Sequence, residues 1–252
     1  MDMSWNKGLS IVRHHTVTDH LKAMVGALNE AGLGVRVHPD PNAFADFVRK
    51  VDGHDPVSAL DPAFVRLDAS NFFWIQIMKD MVPVSIGATR LLHLPAWRGG
   101  LDRAFRDQSL FIDKTSPLTA PAFEMETTGI SGRYAYTGGY YTHPDYQGRG
   151  LIGFVSQLIQ ARAFDLWRID HAGGFVRANH EQLALNPASY GFRKLVRTKV
   201  SYCAGTARPE NLTFVWIDRA DLDARYRAIP AYRVREKPVD QQVFRFPDRK
   251  AG

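Results

Sequence analysis

The segment Tyr140–Gly153 (YYTHPDYQGRGLIG) constrains this chain more than any other. The aromatic-rich run Arg133–His143 reads as a strand, the glycines at 148 and 150 as a tight turn, and Gly148–Trp167 as a long helix with Leu151, Val155, Leu158 and Ile159 on one stripe. A strand that passes through glycines straight into a helix leaves the first helical amides without intrahelical partners. It also puts the positive end of the helix dipole at the turn. Gly148 and Gly150 have no Cβ, so an anionic group can approach the backbone, and Arg149 adds a full charge. The expectation is a cradle for a pyrophosphate.

Three chemistries use such a cradle. A nucleotide P-loop needs G-x-x-x-x-G-K-[ST], and no Lys-Ser or Lys-Thr follows these glycines. A dinucleotide fold is matched by Gly148, Gly150 and Gly153 as G-x-G-x-x-G, with Asp170 lying 20 residues past Gly150. Asp170, however, follows a helix rather than a second parallel strand, and the chain has no regular run of βαβ units. The third chemistry is an acyl-CoA cradle. Here the string Thr142-His143-Pro144-Asp145-Tyr146-Gln147-Gly148-Arg149-Gly150-Leu151-Ile152 resembles the GNAT (GCN5-related) N-acetyltransferase superfamily, whose strand ends in a motif like V-x-P-x-x-Q/R-G-x-G-x-G/A before a helix. The last small residue of that pattern falls on Ile152, with Gly153 one place later, so a side chain is expected to crowd the phosphates.

The rest of the chain supplies helices and strands in a compatible order. Residues 9–17 read as a strand, and Thr18 or Asp19 as the cap of a helix carrying Leu21, Met24, Val25 and Leu28, stopped by Gly32 and Gly34. Val35–His38 reads as a short strand. Asp40-Pro41 opens a second helix with Phe44, Phe47, Val48 and Val51 on one face. Residues 52–63 read as loop, and Phe72–Met78 with Val82–Leu92 as an antiparallel hairpin around Asp80. The 38 residues 95–132 exceed a plain connection several-fold and read as a lid or substrate subdomain, with a short helix over Leu101–Leu110. Strands follow at Gly173–Ala178, Phe192–Tyr202 and Leu212–Ile217, with a helical turn at Glu181–Leu185 ended by Pro187. The sequence beyond Pro230 alternates basic and aromatic residues and suggests no element.

This order and the resemblance together imply an α/β (α+β) fold. It would be a GNAT-like mixed, largely antiparallel twisted sheet flanked by helices, splayed in the middle, with the long insert at 95–132. The expectation is a single acyltransferase-like domain over 1–252, with a core over 9–219 and a tail over 226–252. The resemblance further implies acetyl-CoA as co-substrate and an acyl transfer to a primary amine of a small molecule or peptide by direct attack. A non-catalytic acyl-CoA-binding or sensor module and the use of a longer acyl donor are the alternatives. The cofactor-binding set it implies is Tyr141, Thr142, His143, Gln147, Gly148, Arg149, Gly150, Leu151, Ile152 and Gly153, with Asn179 and Asn186 on the pantetheine amides. Amides near Thr142 would serve as an oxyanion hole, and Gly138-Gly139 suits the bulge that splays the strands. Glu124 and Glu126 are the candidate bases, with His143 behind them. The family's tyrosine acid, four residues before its Gly-Phe, would stand at Pro187, so Tyr190 and Tyr141 are the remaining candidate acids.

Composition excludes other classes. The one cysteine, Cys203, rules out an internal disulfide and every multi-Cys metal site, and fits a reducing compartment. His14, His15 and His20 are separated by the expected strand end and helix cap, so no metal site is read. No apolar run approaches the roughly 18 residues of a membrane span, and the N-terminus has no apolar core after a basic start, so no secretory leader is expected and a cytoplasmic location is. The net charge of +6 comes from scattered arginines without a block of like charge; no nucleic-acid partner is read from it. Trp74 and Trp97 are candidate pocket linings, and exposed strand edges leave room for a homodimer.

Overall fold

A computed structural model describes residues 15–52, 56–94, 122–123, 130–177, 187–203, 208–228 and 231–235. In chain order the elements are α1 (His15–Glu30), β1 (Gly34–His38), α2 (Pro41–Asp52), β2 (Phe72–Lys79), β3 (Val82–Leu94), β4 (Ala122–Phe123), β5 (Gly132–Thr142), α3 (Leu151–Trp167), β6 (His171–Arg177), β7 (Lys194–Cys203), β8 (Arg208–Asp218) and α4 (Arg219–Ala228). Among the described residues eight strands form one sheet in the order β1-β2-β3-β5-β6-β8-β7-β4. Every pairing is antiparallel except that of β5 with β6.

The elements follow from local chemistry. Asp40 caps α2, its Oδ1 accepting from the N–H groups of Asn42 (2.8 Å) and Ala43 (3.3 Å), with Pro41 at the first helical position. The β2–β3 hairpin turns through Asp80 (φ 46°) and Met81 (φ 70°), the two left-handed residues a tight two-residue loop requires. Seven of the eight residues of β2 are buried, because helices cover both faces of the sheet there.

One face carries α1, α3 and α4. Val17, Leu21, Met24 and Leu28 of α1 pack with Leu151, Phe154, Val155, Leu158 and Phe164 of α3. Sandwiched between α1 and the sheet, α3 is buried almost all round, more than the single stripe expected from its sequence. The opposite face carries α2 and the 58–60 turn, with Phe44, Val48, Ala59 and Leu60 against Phe72, Trp74, Ile86 and Tyr136.

Several boundaries differ from the sequence reading. Residues 15–17 belong to α1 rather than to a strand, and Thr18 and Asp19 lie inside that helix, not at its cap. Val17 is buried in the core cluster, so tertiary burial outweighs the β-branched preference of this stretch. The motif helix begins at Leu151, three residues later than expected, because Gly148 and Gly150 adopt left-handed backbone. β6 begins at His171, and α4 has no counterpart in the sequence reading. Residues 9–14, Leu101–Leu110, Glu181–Leu185, His14 and Trp97 lie outside the described residues.

Candidate acyl-CoA site

The split in the sheet is built by glycines. β5 and β6 run parallel but pair only over Tyr134–His171, Ala135–Ala172 and Tyr136–Gly173. The closed end is tied by Asp170, which accepts the Arg133 N–H (2.8 Å) and donates its own N–H to the Arg133 carbonyl (2.7 Å), while Arg219 reaches its other oxygen at 3.4 Å. That is the residue a dinucleotide fold would place on a ribose; here it knots two strands. At the fork, Thr137 Oγ1 donates to the Gly173 carbonyl (3.3 Å), and a Cβ on Gly174 would collide with the Thr137 carbonyl. Beyond it, five residues of β5, about 16 Å at ~3.3 Å each, have no ladder to β6.

On its other side β5 bulges from β3. The register shifts between Ile86 and Ala88, setting Gly139 and Tyr140 against Gly87. Gly139 has φ +61°, and a Cβ there would lie 2.5 Å from Phe44 Cζ. Gly138-Gly139 thus sits at the expected bulge. Past it, the His143 N–H donates to the Val84 carbonyl (2.9 Å). Amides alternate sides along an antiparallel ladder, so the Thr142 amide, paired in register with Ser85, points away from β3 into the split. Thr142 Oγ1 is held by Ser85 Oγ (2.9 Å), and its carbonyl accepts from Gln147 Nε2 (3.4 Å).

The turn that follows is open. Pro144–Tyr146 forms one 3₁₀ turn capped by His143, whose Nδ1 accepts the Asp145 N–H (3.3 Å). Gly148 (φ +79°) and Gly150 (φ +78°) carry the chain into α3, and among the described residues no side chain caps the helix N-terminus. Both glycines are exposed, and among the described residues a Cβ on Gly150 would meet nothing within 4 Å. Ile152, on the first turn of α3, is half-buried. Gly153 is small for another reason: a Cβ there would lie 2.6 Å from the Ser189 carbonyl. The Arg149 guanidinium lies 4.8 Å from the Tyr146 ring.

The parting of β5 from β6, the bulge in β5 and the glycine turn into α3 agree with the splayed sheet and cradle expected from the sequence; the parallel sense of the β5–β6 pair was not part of that expectation. The fold is a mixed, largely antiparallel α/β sheet flanked by helices and parted at one end, of the kind the sequence resemblance implied. The sequence matches no protein-family model and no curated protein. Solved structures of acetyltransferases are similar to this chain. The spermidine/spermine N-acetyltransferase of Vibrio cholerae has 9% identity and TM-score 0.47, over 77% of this chain and 98% of that one. NAA60 of Arabidopsis thaliana, bound to a bisubstrate analogue, has 8% identity and TM-score 0.45, over 73% and 97%. An acetyltransferase of Salmonella typhimurium, solved with acetyl-CoA, has 13% identity and TM-score 0.38, over 74% and 94%.

Within this fold the candidate acids part company. Tyr141 lies on the α2 face, its ring 6.2 Å from Phe47. Tyr190 ends the 187–190 turn on the α3 face; burial raises its phenol pKa, and the Arg235 charge partly opposes that. Glu124, Glu126, Asn179 and Asn186 lie outside the described residues. Trp74 is buried, its Nε1 donating to the Asp40 carbonyl (3.1 Å), so it packs rather than lines the split.

The sequence reading missed three groups. Ser156 Oγ donates to the Tyr190 carbonyl (2.7 Å), and Gln160 Nε2 donates to the same carbonyl (3.0 Å). Arg225, buried on α4, donates to Gln160 Oε1 (2.7 Å) and to the Gly191 carbonyl. Polar residues inside an apolar helix were the available signal for the first two, and the adjacent Gly173-Gly174 was the signal for the fork.

Proposed function

We propose that this chain is an acyl-CoA-dependent N-acyltransferase that moves an acetyl group from acetyl-CoA to the primary amine of a small molecule or peptide. One observation carries the reading: the β5–β6 ladder stops at Tyr136–Gly173, and past the unpaired stretch of β5 the glycine turn into α3 has, among the described residues, open space at Gly150. The diphosphate of acetyl-CoA would rest on the amides of 148–153, and its pantetheine arm would lie in the split. The amine nitrogen attacks the thioester carbonyl carbon, the C–S bond breaks, the amine loses a proton and the CoA thiolate gains one. The Thr142 N–H would stabilise the oxyanion, and most of the acceleration would come from holding two substrates together. Glu124 or Glu126 as base and Tyr190 or Tyr141 as acid complete the proposed set.

Thermal melting with and without acetyl-CoA, followed by thiol release over a panel of polyamine, aminoglycoside and peptide N-terminal acceptors, tests this. Stabilisation with release on one acceptor class is the expected result; no stabilisation by acetyl-CoA overturns the reading.

Pro187, standing where the family carries its tyrosine acid, favours a second reading as a non-catalytic acyl-CoA-binding module. Stabilisation without release on any amine selects it, and release only from a longer acyl-CoA selects a longer donor. We further propose a cytoplasmic location and a homodimer through a sheet edge, β1 or β4, which size-exclusion chromatography with light scattering tests.

A further inference from the structure

We infer that residues 231–235 form a strap that presets the cofactor turn, with Arg235 acting as a positioning residue through its backbone N–H. This rests on the acyl-CoA reading above. The strap is anchored before it reaches the turn. Tyr232 Oη lies 2.9 Å from His20 Nε2 on α1 and donates to Gln157 Oε1 on α3 (3.4 Å), and its ring packs 5.9 Å from Phe154. Val234 is buried in the core cluster that also contains Leu151 and Phe154. Next in the chain, the Arg235 N–H donates to the Arg149 carbonyl (3.3 Å).

That bond reaches the middle of the motif. Arg149 lies between Gly148 and Gly150, two residues with the widest backbone freedom. In a trans peptide the C=O of one residue and the N–H of the next point in opposite directions. Holding the Arg149 carbonyl toward the strap therefore turns the Gly150 N–H away from it. Without the strap the plane between the two glycines is free to rotate, and a ligand must pay to orient it.

The test compares two variants of the full chain. Arg235→Pro removes the donor, and Arg235→Ala keeps it while deleting the side chain. CoA titrated by calorimetry is expected to bind Arg235→Pro about 2- to 12-fold more weakly than Arg235→Ala, the range one hydrogen bond of ~0.5–1.5 kcal/mol supplies. The KM for acetyl-CoA is expected to rise by the same factor with kcat unchanged. Equal CoA affinity in the two variants overturns the strap. Because proline can disturb folding, amide exchange on the wild-type chain is the second measurement. The Arg235 amide is expected to be protected with or without CoA, and the Gly150 amide only with it. An Arg235 amide that exchanges like an unstructured chain overturns the inference. A wild-type chain that binds no CoA fails the acyl-CoA reading instead, and Arg235 protection still decides whether the tie exists.

Discussion

Tyr140, the residue that bulges out of the motif strand, points its hydroxyl at Ser156 on α3, 3.2 Å away. Ser156 accepts that bond and one from Gln160 Nε2 (3.1 Å), and gives its single proton to the Tyr190 carbonyl (2.7 Å). One buried hydroxyl thus links the splayed strand to the turn that carries Tyr190. Ser156→Ala is expected to cost about 1–3 kcal/mol of stability, the range for stranding buried polar partners. Urea denaturation measures it, and a loss under ~0.5 kcal/mol would show that the hydroxyl is not a hub.

Two nearby glycines separate ligand space from packing. Gly150→Ala puts a methyl group into open space at a left-handed residue, so it is expected to cost only about 1–2 kcal/mol of backbone strain. If phosphate occupies that space, CoA affinity falls on the order of tenfold, or ~1.4 kcal/mol. Gly153→Ala drives a methyl against the Ser189 carbonyl and is expected to lose about 1–3 kcal/mol of stability with a smaller effect on affinity. Calorimetric titration and thermal melts on both variants give the comparison; a reversed pattern places the phosphates elsewhere.

The legible part of this fold is the part in which local pattern and tertiary burial agree. The face Phe44–Val48, the Asp40 cap and the hairpin around Asp80 appear where periodicity and capping put them. α1 was misplaced at its start because Val17 reads as strand from its own preference and becomes helical through what it packs against. α4 was invisible because its ten residues carry little apolar periodicity; Leu222 and Tyr226 are buried, and the third buried side chain is a cation, Arg225. The motif turn is legible in kind, but the reason Gly153 has to be small is not, because it lies in Ser189, a residue 36 positions away.

The fork itself offers a sharper test. Gly174 sits where a Cβ would strike the Thr137 carbonyl, and a backbone oxygen on a paired strand has nowhere to go. Gly174→Ala is expected to destabilise by about 2–3 kcal/mol, or to move the strands and lower acyl-CoA affinity. Denaturant unfolding with a CoA titration distinguishes the two outcomes. A variant unchanged in both would mean that β5 and β6 do not approach at Thr137.

The junction of α1, α3, α4 and the strap should make stability depend on pH. His20 is fully buried, and burial first, then the Arg225 charge, lowers its pKa from 6.5 to about 4. The unfolded chain takes up this proton near its ordinary value, whereas the folded chain resists it until about pH 4. The unfolded state therefore binds more protons between those limits, and stability falls as pH drops through that window. Above about pH 6.5 the neutral ring costs nothing. Between pH 7.5 and pH 5 the loss from this one group is expected to be roughly 2 kcal/mol. His20→Gln keeps a hydrogen-bonding group for Tyr232 and removes the titration, so its stability should fall by about 2 kcal/mol less over the same interval. Urea unfolding of both proteins at the two pH values gives the difference. Equal pH dependence would mean that His20 is not held neutral by the fold.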